Sequence, residues 1–174
     1  MNHIEKYKMP YNLCDKFIEY HKTNTEYKNK QDDLSQQRIS TDVCFFNFSQ
    51  TKFIQDFFKV LSTCVQDYIK KYGIREALKT HISNHIQYYQ PGEGFAGLHY
   101  ERGEGHSSNR ELVYMLYCNT LKNGGTNFPN QKKTLNATKG TLYIWPAAFT
   151  HLHKGVISNT QEKYIVTGWF EYLN

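Results

Sequence analysis

At 174 residues the chain is the size of one domain with a sizeable core, and its 14 Tyr and 11 Phe exclude a disordered polar chain. Its net charge of +5 is mild and scattered; the adjacent basic pairs are Lys70-Lys71 and Lys132-Lys133, too few for a nucleic-acid surface built on charge. No run approaches the length of a membrane span, and no apolar N-terminal run marks a signal peptide.

The four cysteines, Cys14, Cys44, Cys64 and Cys118, form no Cys-x-x-Cys pair and have no zinc spacing. They read as reduced, buried thiols of a cytoplasmic protein. The expected partners therefore include neither nucleic acid nor membrane, and no feature sets an oligomeric state.

In chain order, residues 11–20 place Leu13, Phe17 and Tyr20 at helical spacing. Residues 23–40 are polar with few apolar anchors. They read as a long loop that is mobile when free and orders over a site mouth on binding. Residues 41–48, with Val43, Phe45, Phe46 and Phe48, read as a strand. Ser49 is a candidate N-cap for a helix reaching about Tyr72 and ended by Gly73. Phe53, Phe57, Val60, Leu61, Cys64, Val65, Tyr68 and Ile69 give that helix a wide apolar face, which predicts packing on a sheet. Residues 74–81 predict a short helix. Residues 1–83 thus read as a mostly helical support.

From residue 84 the period changes. Strands are predicted at 84–90, 95–101, 110–119, 125–128, 132–137, 140–146, 149–155 and 163–172. Gly92, Gly94, Gly103, Gly105, Asn123-Gly124-Gly125 and Lys139-Gly140 punctuate them. Many short strands predict a double-sheet jelly roll. The expected fold class is α+β with a mainly β core, a single domain over 1–174 whose jelly roll occupies 84–174.

His99 and Glu101 are two residues apart and would share a face on a strand. His153 would join them from a distant strand. Two imidazoles and one carboxylate on one side of a metal leave its other side open, the facial triad of non-haem Fe(II) oxygenases. His151 competes with His153, since both could face one side of a strand. Lys163 enters the apolar run Tyr164-Ile165-Val166, where a cation calls for an anionic partner unless it snorkels at a strand edge.

The ordered pieces Tyr89-Gln90-Pro91-Gly92-Glu93-Gly94-Phe95-Ala96-Gly97-Leu98-His99-Tyr100-Glu101, Tyr117-Cys118-Asn119, Gly124-Gly125-Thr126-Asn127-Phe128-Pro129 and Trp145-Pro146, with His153-Lys154-Gly155 and Lys163, carry a resemblance. Over 84–172 the chain resembles the Fe(II)/2-oxoglutarate-dependent dioxygenases, in particular the small prolyl 4-hydroxylase-like enzymes of bacteria and phages.

The resemblance implies a double-stranded β-helix with flanking helices. It implies Fe(II) on His99, Glu101 and His153, His153 being preferred because it precedes Lys-Gly and lies ten residues before Lys163. It implies 2-oxoglutarate as cosubstrate, its far carboxylate on Lys163 and Tyr117, with O2 consumed and ascorbate as an optional addition. Tyr89 would hold the cosubstrate or line the substrate groove. Arg110 would face the substrate or be an exposed strand-end arginine, and Trp169 would line the iron pocket or belong to the core. The implied reaction hydroxylates an unactivated C–H bond, first a peptidyl proline in a protein or peptide substrate, and yields succinate and CO2. The alternatives are a free amino acid or other small-molecule substrate, or a jelly-roll binding module without catalysis. The family usually has Asp where this chain has Glu101, so the longer side chain must fold back to reach the metal.

Overall fold

The computed structural model describes residues 2–173. Its strands, in chain order, are β1 (Glu5–Lys8), β2 (Lys28–Asp33), β3 (Arg38–Phe46), β4 (Leu78–Thr80), β5 (Ser83–Tyr89), β6 (Arg110–Tyr117), β7 (Thr126–Phe128), β8 (Lys133–Leu135), β9 (Thr141–Pro146), β10 (Lys154–Gly155) and β11 (Lys163–Tyr172). Two helices interrupt them, α1 (Tyr11–Thr23) and α2 (Lys52–Tyr72). The larger sheet has eight strands in the order β1-β9-β6-β11-β5-β3-β2, with β4 also paired to β11. The smaller sheet runs β10-β7-β8. The result is a mainly β jelly roll supported by two helices.

Side-chain alternation along the strands divides the molecule into two cores. Along β11, Tyr164, Val166 and Phe170 join one core with the helices. Ile165 and Trp169 join the other core, between the two sheets. Helix α2 buries Ile54, Phe57, Leu61, Cys64, Val65 and Tyr68 at helical spacing, the sheet-packing face expected of it. Gly73 closes it in the left-handed region at φ 67°, where an L side chain would be strained. The helix begins at Lys52, later than a cap at Ser49 would place it.

Several expectations in the first half are corrected. Residues 23–40 are no long loop: β2 and the start of β3 form a hairpin there, with Lys28 opposite Val43 and Asp33 opposite Arg38. Strand β2 lies at the sheet edge and is largely solvent-facing, so its sequence lacks an apolar alternation. The turn is tied locally, the Asp33 carboxylate accepting from the Ser35 and Gln36 N–H groups. The predicted short helix at 74–81 is instead β4, recruited by pairing of Leu78–Thr80 with the end of β11. Strand β1 was not foreseen and pairs with β9. The first 83 residues therefore supply four strands as well as both helices.

Two predicted strands in the second half are broken. Residues 95–101 join no ladder; they make isolated bridges, Phe95 with Arg38 and His99 with His153, and scattered backbone hydrogen bonds. Within 149–155, a one-turn 3-10 helix at Phe149–His151 precedes β10. Among the described residues no helix is long and apolar enough to cross a membrane.

Candidate active site

A cavity of about 290 Å³ opens between the two sheets. Its walls come from the inward-facing positions of β3, β5, β6 and β11, and from the irregular segment holding Phe95, His99 and Glu101. The same alternation that sends Val166 to the helices sends Lys163, Ile165, Thr167 and Trp169 to this cavity.

His99, Glu101 and His153 converge, with one potential ligand atom from each inside a mutual 4.8 Å. Backbone pairing sets the two histidines: His99 N–H donates to the His153 carbonyl and His153 N–H to the His99 carbonyl, at 3.0 and 2.9 Å. Glu101 N–H donates to the Ala147 carbonyl at 3.0 Å. Each imidazole is oriented by its other nitrogen. His99 Nδ1 meets the Gly97 carbonyl and His153 Nδ1 the His151 carbonyl, both at 2.9 Å. A carbonyl only accepts, so each Nδ1 carries a proton and each Nε2 is the nitrogen turned toward Glu101. Both Nε2 atoms lie 3.5 Å from Glu101 Oε1. Three potential ligand atoms facing one point could hold a metal ion.

Glu101 is held from behind. Its Oε2 accepts from Trp169 Nε1 at 3.0 Å and lies 3.5 Å from Arg110 Nη1. The Arg110 guanidinium stacks 3.6 Å over the Trp169 ring. Burial raises the Glu101 pKa, while positive charge on the His153 and His99 side, present when those rings are protonated, lowers it and leaves the carboxyl well below the usual range. Arg110, expected toward the substrate, thus reaches Glu101 instead of the cavity, while Trp169 both braces Glu101 and lines the cavity. His151 turns away: its Nε2 meets the Asn2 carbonyl and its Nδ1 the Thr150 hydroxyl, both at 2.9 Å.

Lys163 is 4% exposed and points into the cavity. Its Nζ donates to the Val156 and Gly124 carbonyls at 3.2 and 3.3 Å, and lies 4.8 Å over the Tyr89 ring, directly across the strand pair. Among the described residues no carboxylate pairs with it, and burial pushes its amine down to about 8. Tyr117, on β6, also lines the cavity, its hydroxyl bonded to Thr126 at 2.7 Å. The Tyr89 hydroxyl donates to Gln87 Oε1 at 2.9 Å, so Tyr89 offers Lys163 its ring face. Trp145 lines the same wall edge-on to His153 at 5.2 Å, and its buried indole N–H has no acceptor among the described residues.

Other cavity groups escaped the sequence reading: Phe95, stacked on His99 at 3.8 Å, and Arg38, Asp42, His85 and Gln87. A usable signal was Arg38-x-Ser40-x-Asp42, polar residues at period two leading into the apolar residues of one strand. Burial, together with the nearby Arg38 charge, pushes His85 down to about 4, so it is neutral near pH 7.

The 2OG-Fe(II) oxygenase superfamily model matches residues 83–171, just over half of the chain. The chain belongs to the 2OG-Fe(II) oxygenase superfamily. The oxygenase is also similar in fold to solved structures of low identity. One is a viral collagen prolyl hydroxylase from Paramecium Bursaria Chlorella virus-1, in complex with 2OG, at 18% identity and TM-score 0.78, covering 99% of this chain and 97% of that one. A Pseudomonas putida prolyl-4-hydroxylase matches at 15% identity and TM-score 0.71, covering 100% and 95%. A Trichoplax adhaerens prolyl hydroxylase, in complex with a hypoxia inducible factor peptide fragment, matches at 12% identity and TM-score 0.71, covering 99% and 84%. A search of curated proteins finds no match.

Membership makes the oxygenase a 2-oxoglutarate-dependent Fe(II) dioxygenase that uses Fe(II), 2-oxoglutarate and O2. The residues present fit that set. Two imidazoles and a carboxylate suit a divalent iron. The buried Lys163 cation without an acid, and the buried Trp145 N–H without an acceptor, suit a carboxylate-bearing guest.

Proposed function

We propose that the oxygenase hydroxylates an unactivated C–H bond of a proline in a peptide or protein, with succinate and CO2 as co-products. In this reading His99, Glu101 and His153 hold Fe(II). Bound iron with 2-oxoglutarate and O2 supplies the oxidising power that no side chain has. The chain's own residues bind and orient. Lys163 holds the far carboxylate of 2-oxoglutarate, and Tyr117 and Tyr89 shape that end of the cavity. Trp169 and Arg110 keep the Glu101 carboxylate folded toward the histidines, which is how a side chain one methylene longer than Asp serves. Ile165, Met115 and Trp145 exclude water from the space between.

One observation carries the reading: a buried lysine without an acid faces the same cavity as the histidine–glutamate cluster. The choice of proline rests on the named activities of the fold's relatives and on the resemblance of the motif block. The test loads the protein with Fe(II) without oxygen, then adds 2-oxoglutarate, O2 and a peptide library. Mass spectrometry should find a one-oxygen gain on proline. A gain only on other residues or on free amino acids would replace the substrate. No succinate, with or without peptide, would leave a binding module.

A further inference from the structure

The cavity has a third polar feature, away from the metal ligands and from Lys163. It lies on β3 and β5. Asp42, 4% exposed, accepts from Arg38 Nη2 and from the Ser40 hydroxyl at 2.7 Å. Gln87 lies opposite it on β5 and accepts from the Tyr89 hydroxyl. Held on both oxygens, the carboxylate fixes the guanidinium. Arg38 is not saturated. Its Nε is buried and finds no acceptor among the described residues. A guanidinium has five donors in a rigid plane, so anchoring one edge aims the rest.

The aim is toward the chemistry. Arg38 lines the cavity, and its guanidinium lies 5.3 Å over the ring of Phe95. The same ring stacks on His99 at 3.8 Å, with the planes 5° apart. An acceptor bound to Arg38 would therefore sit one aromatic ring away from a metal ligand. A surface arginine making an ordinary ion pair would turn its remaining donors to water.

We propose that Arg38, clamped by Asp42, is a substrate-binding residue that donates to an oxygen acceptor of the substrate, a main-chain carbonyl or a carboxylate, and so sets which carbon faces the metal. This rests on the hydroxylase reading, and the test separates the two.

The full chain, loaded with Fe(II), is assayed for succinate with two probes. One is a proline-containing peptide blocked at both ends, which offers carbonyls alone; the other is free L-proline, which offers a carboxylate. The variants are Arg38→Gln, whose amide can still donate to Asp42, and Arg38→Lys, which keeps charge without the fork. The expected result is a probe KM raised on the order of tenfold to a hundredfold in Arg38→Gln and less in Arg38→Lys. The KM for 2-oxoglutarate should stay within about twofold, since Lys163 holds that end. Whichever probe shows the split identifies the acceptor. A second measurement uses the wild type: the Arg38 Nε–H signal, assigned by its loss in Arg38→Lys, should shift when the accepted probe binds. An unchanged probe KM, an equal shift of both KM values, an unmoved Nε–H signal, or no binding of either probe overturns the inference. A wild type that makes no succinate from 2-oxoglutarate at all overturns the hydroxylase reading instead.

Discussion

Lys163 places a cation where the protein meets it only with carbonyls and a tyrosine ring. If the guest's carboxylate is its partner, Lys163→Met should raise the apparent 2-oxoglutarate constant at least about tenfold, since losing one side of a desolvated charge pair costs about 2–5 kcal/mol. Fe(II) affinity should stay within a few fold. An anaerobic titration followed by the metal-to-ligand charge-transfer band reads both, and a superimposable curve would remove Lys163 from the cosubstrate site. The depressed pKa adds a pH signature. Above about pH 8 the free lysine is mostly neutral, while the dianion prefers it charged, so affinity should fall as pH rises through and beyond 8. That decline should vanish in Lys163→Met. For the metal, His99→Ala or His153→Ala should abolish Fe(II) binding, and His151→Ala should keep it, because His151 bonds to Asn2 and Thr150 instead. Iron analysis after desalting gives the answer, and iron loss confined to the His151 variant would reverse the assignment. The triad is legible in the sequence through the ordered motif block that carries the resemblance, and Lys163 also because a cation enters an apolar run. Arg38 and Asp42 are not, because polar residues at period two read equally well as a solvent-facing side, and only the packed sheet turns them to the cavity.

Elements differ in how openly the sequence declares them. Helix α2 is legible because 21 residues repeat one apolar period and end on a glycine. Phe57, wholly buried against Phe17, Phe45 and Tyr114, should cost about 3–5 kcal/mol on truncation to Ala, as read by urea denaturation. Strand β2 hides because an edge strand needs no apolar face, and β4 hides because three residues carry no period. The segment 95–101 misleads in the other direction. It has strand-like residues, yet isolated bridges and scattered backbone hydrogen bonds hold it in place of a ladder. Gly97 shows how tightly it is seated: a Cβ there would lie 2.1 Å from the Gln36 carbonyl in the β2–β3 turn. Gly97→Ala should therefore displace that turn and cost about 1–3 kcal/mol. A melting temperature matching the wild type would show that the turn yields freely.

At the scale of the whole molecule, metal and cosubstrate should act as stabilisers, because the triad exists only when the 95–101 segment meets His153, and Lys163 faces it only when β11 is in place. A non-redox ion such as Mn(II) together with 2-oxoglutarate, each near 100 times its dissociation constant, should add about 2.7 kcal/mol per ligand, and a chelator should reverse the metal's share. Equal melting temperatures with and without both ligands would contradict a preassembled site. The eight-stranded sheet has a wider consequence. One side of it is committed to keeping the molecule folded against α1 and α2, the other to what enters the cavity. A saturation scan that scores cellular abundance and turnover separately should record this as a beat of two along β11. Changes at Tyr164, Val166 and Phe170 should deplete the protein, and changes at Lys163, Thr167 and Trp169 should silence protein that accumulates normally. Such a sheet works as a bulkhead: substrate preference can drift on the wet side across generations while the dry side, one residue away, keeps the same sequence.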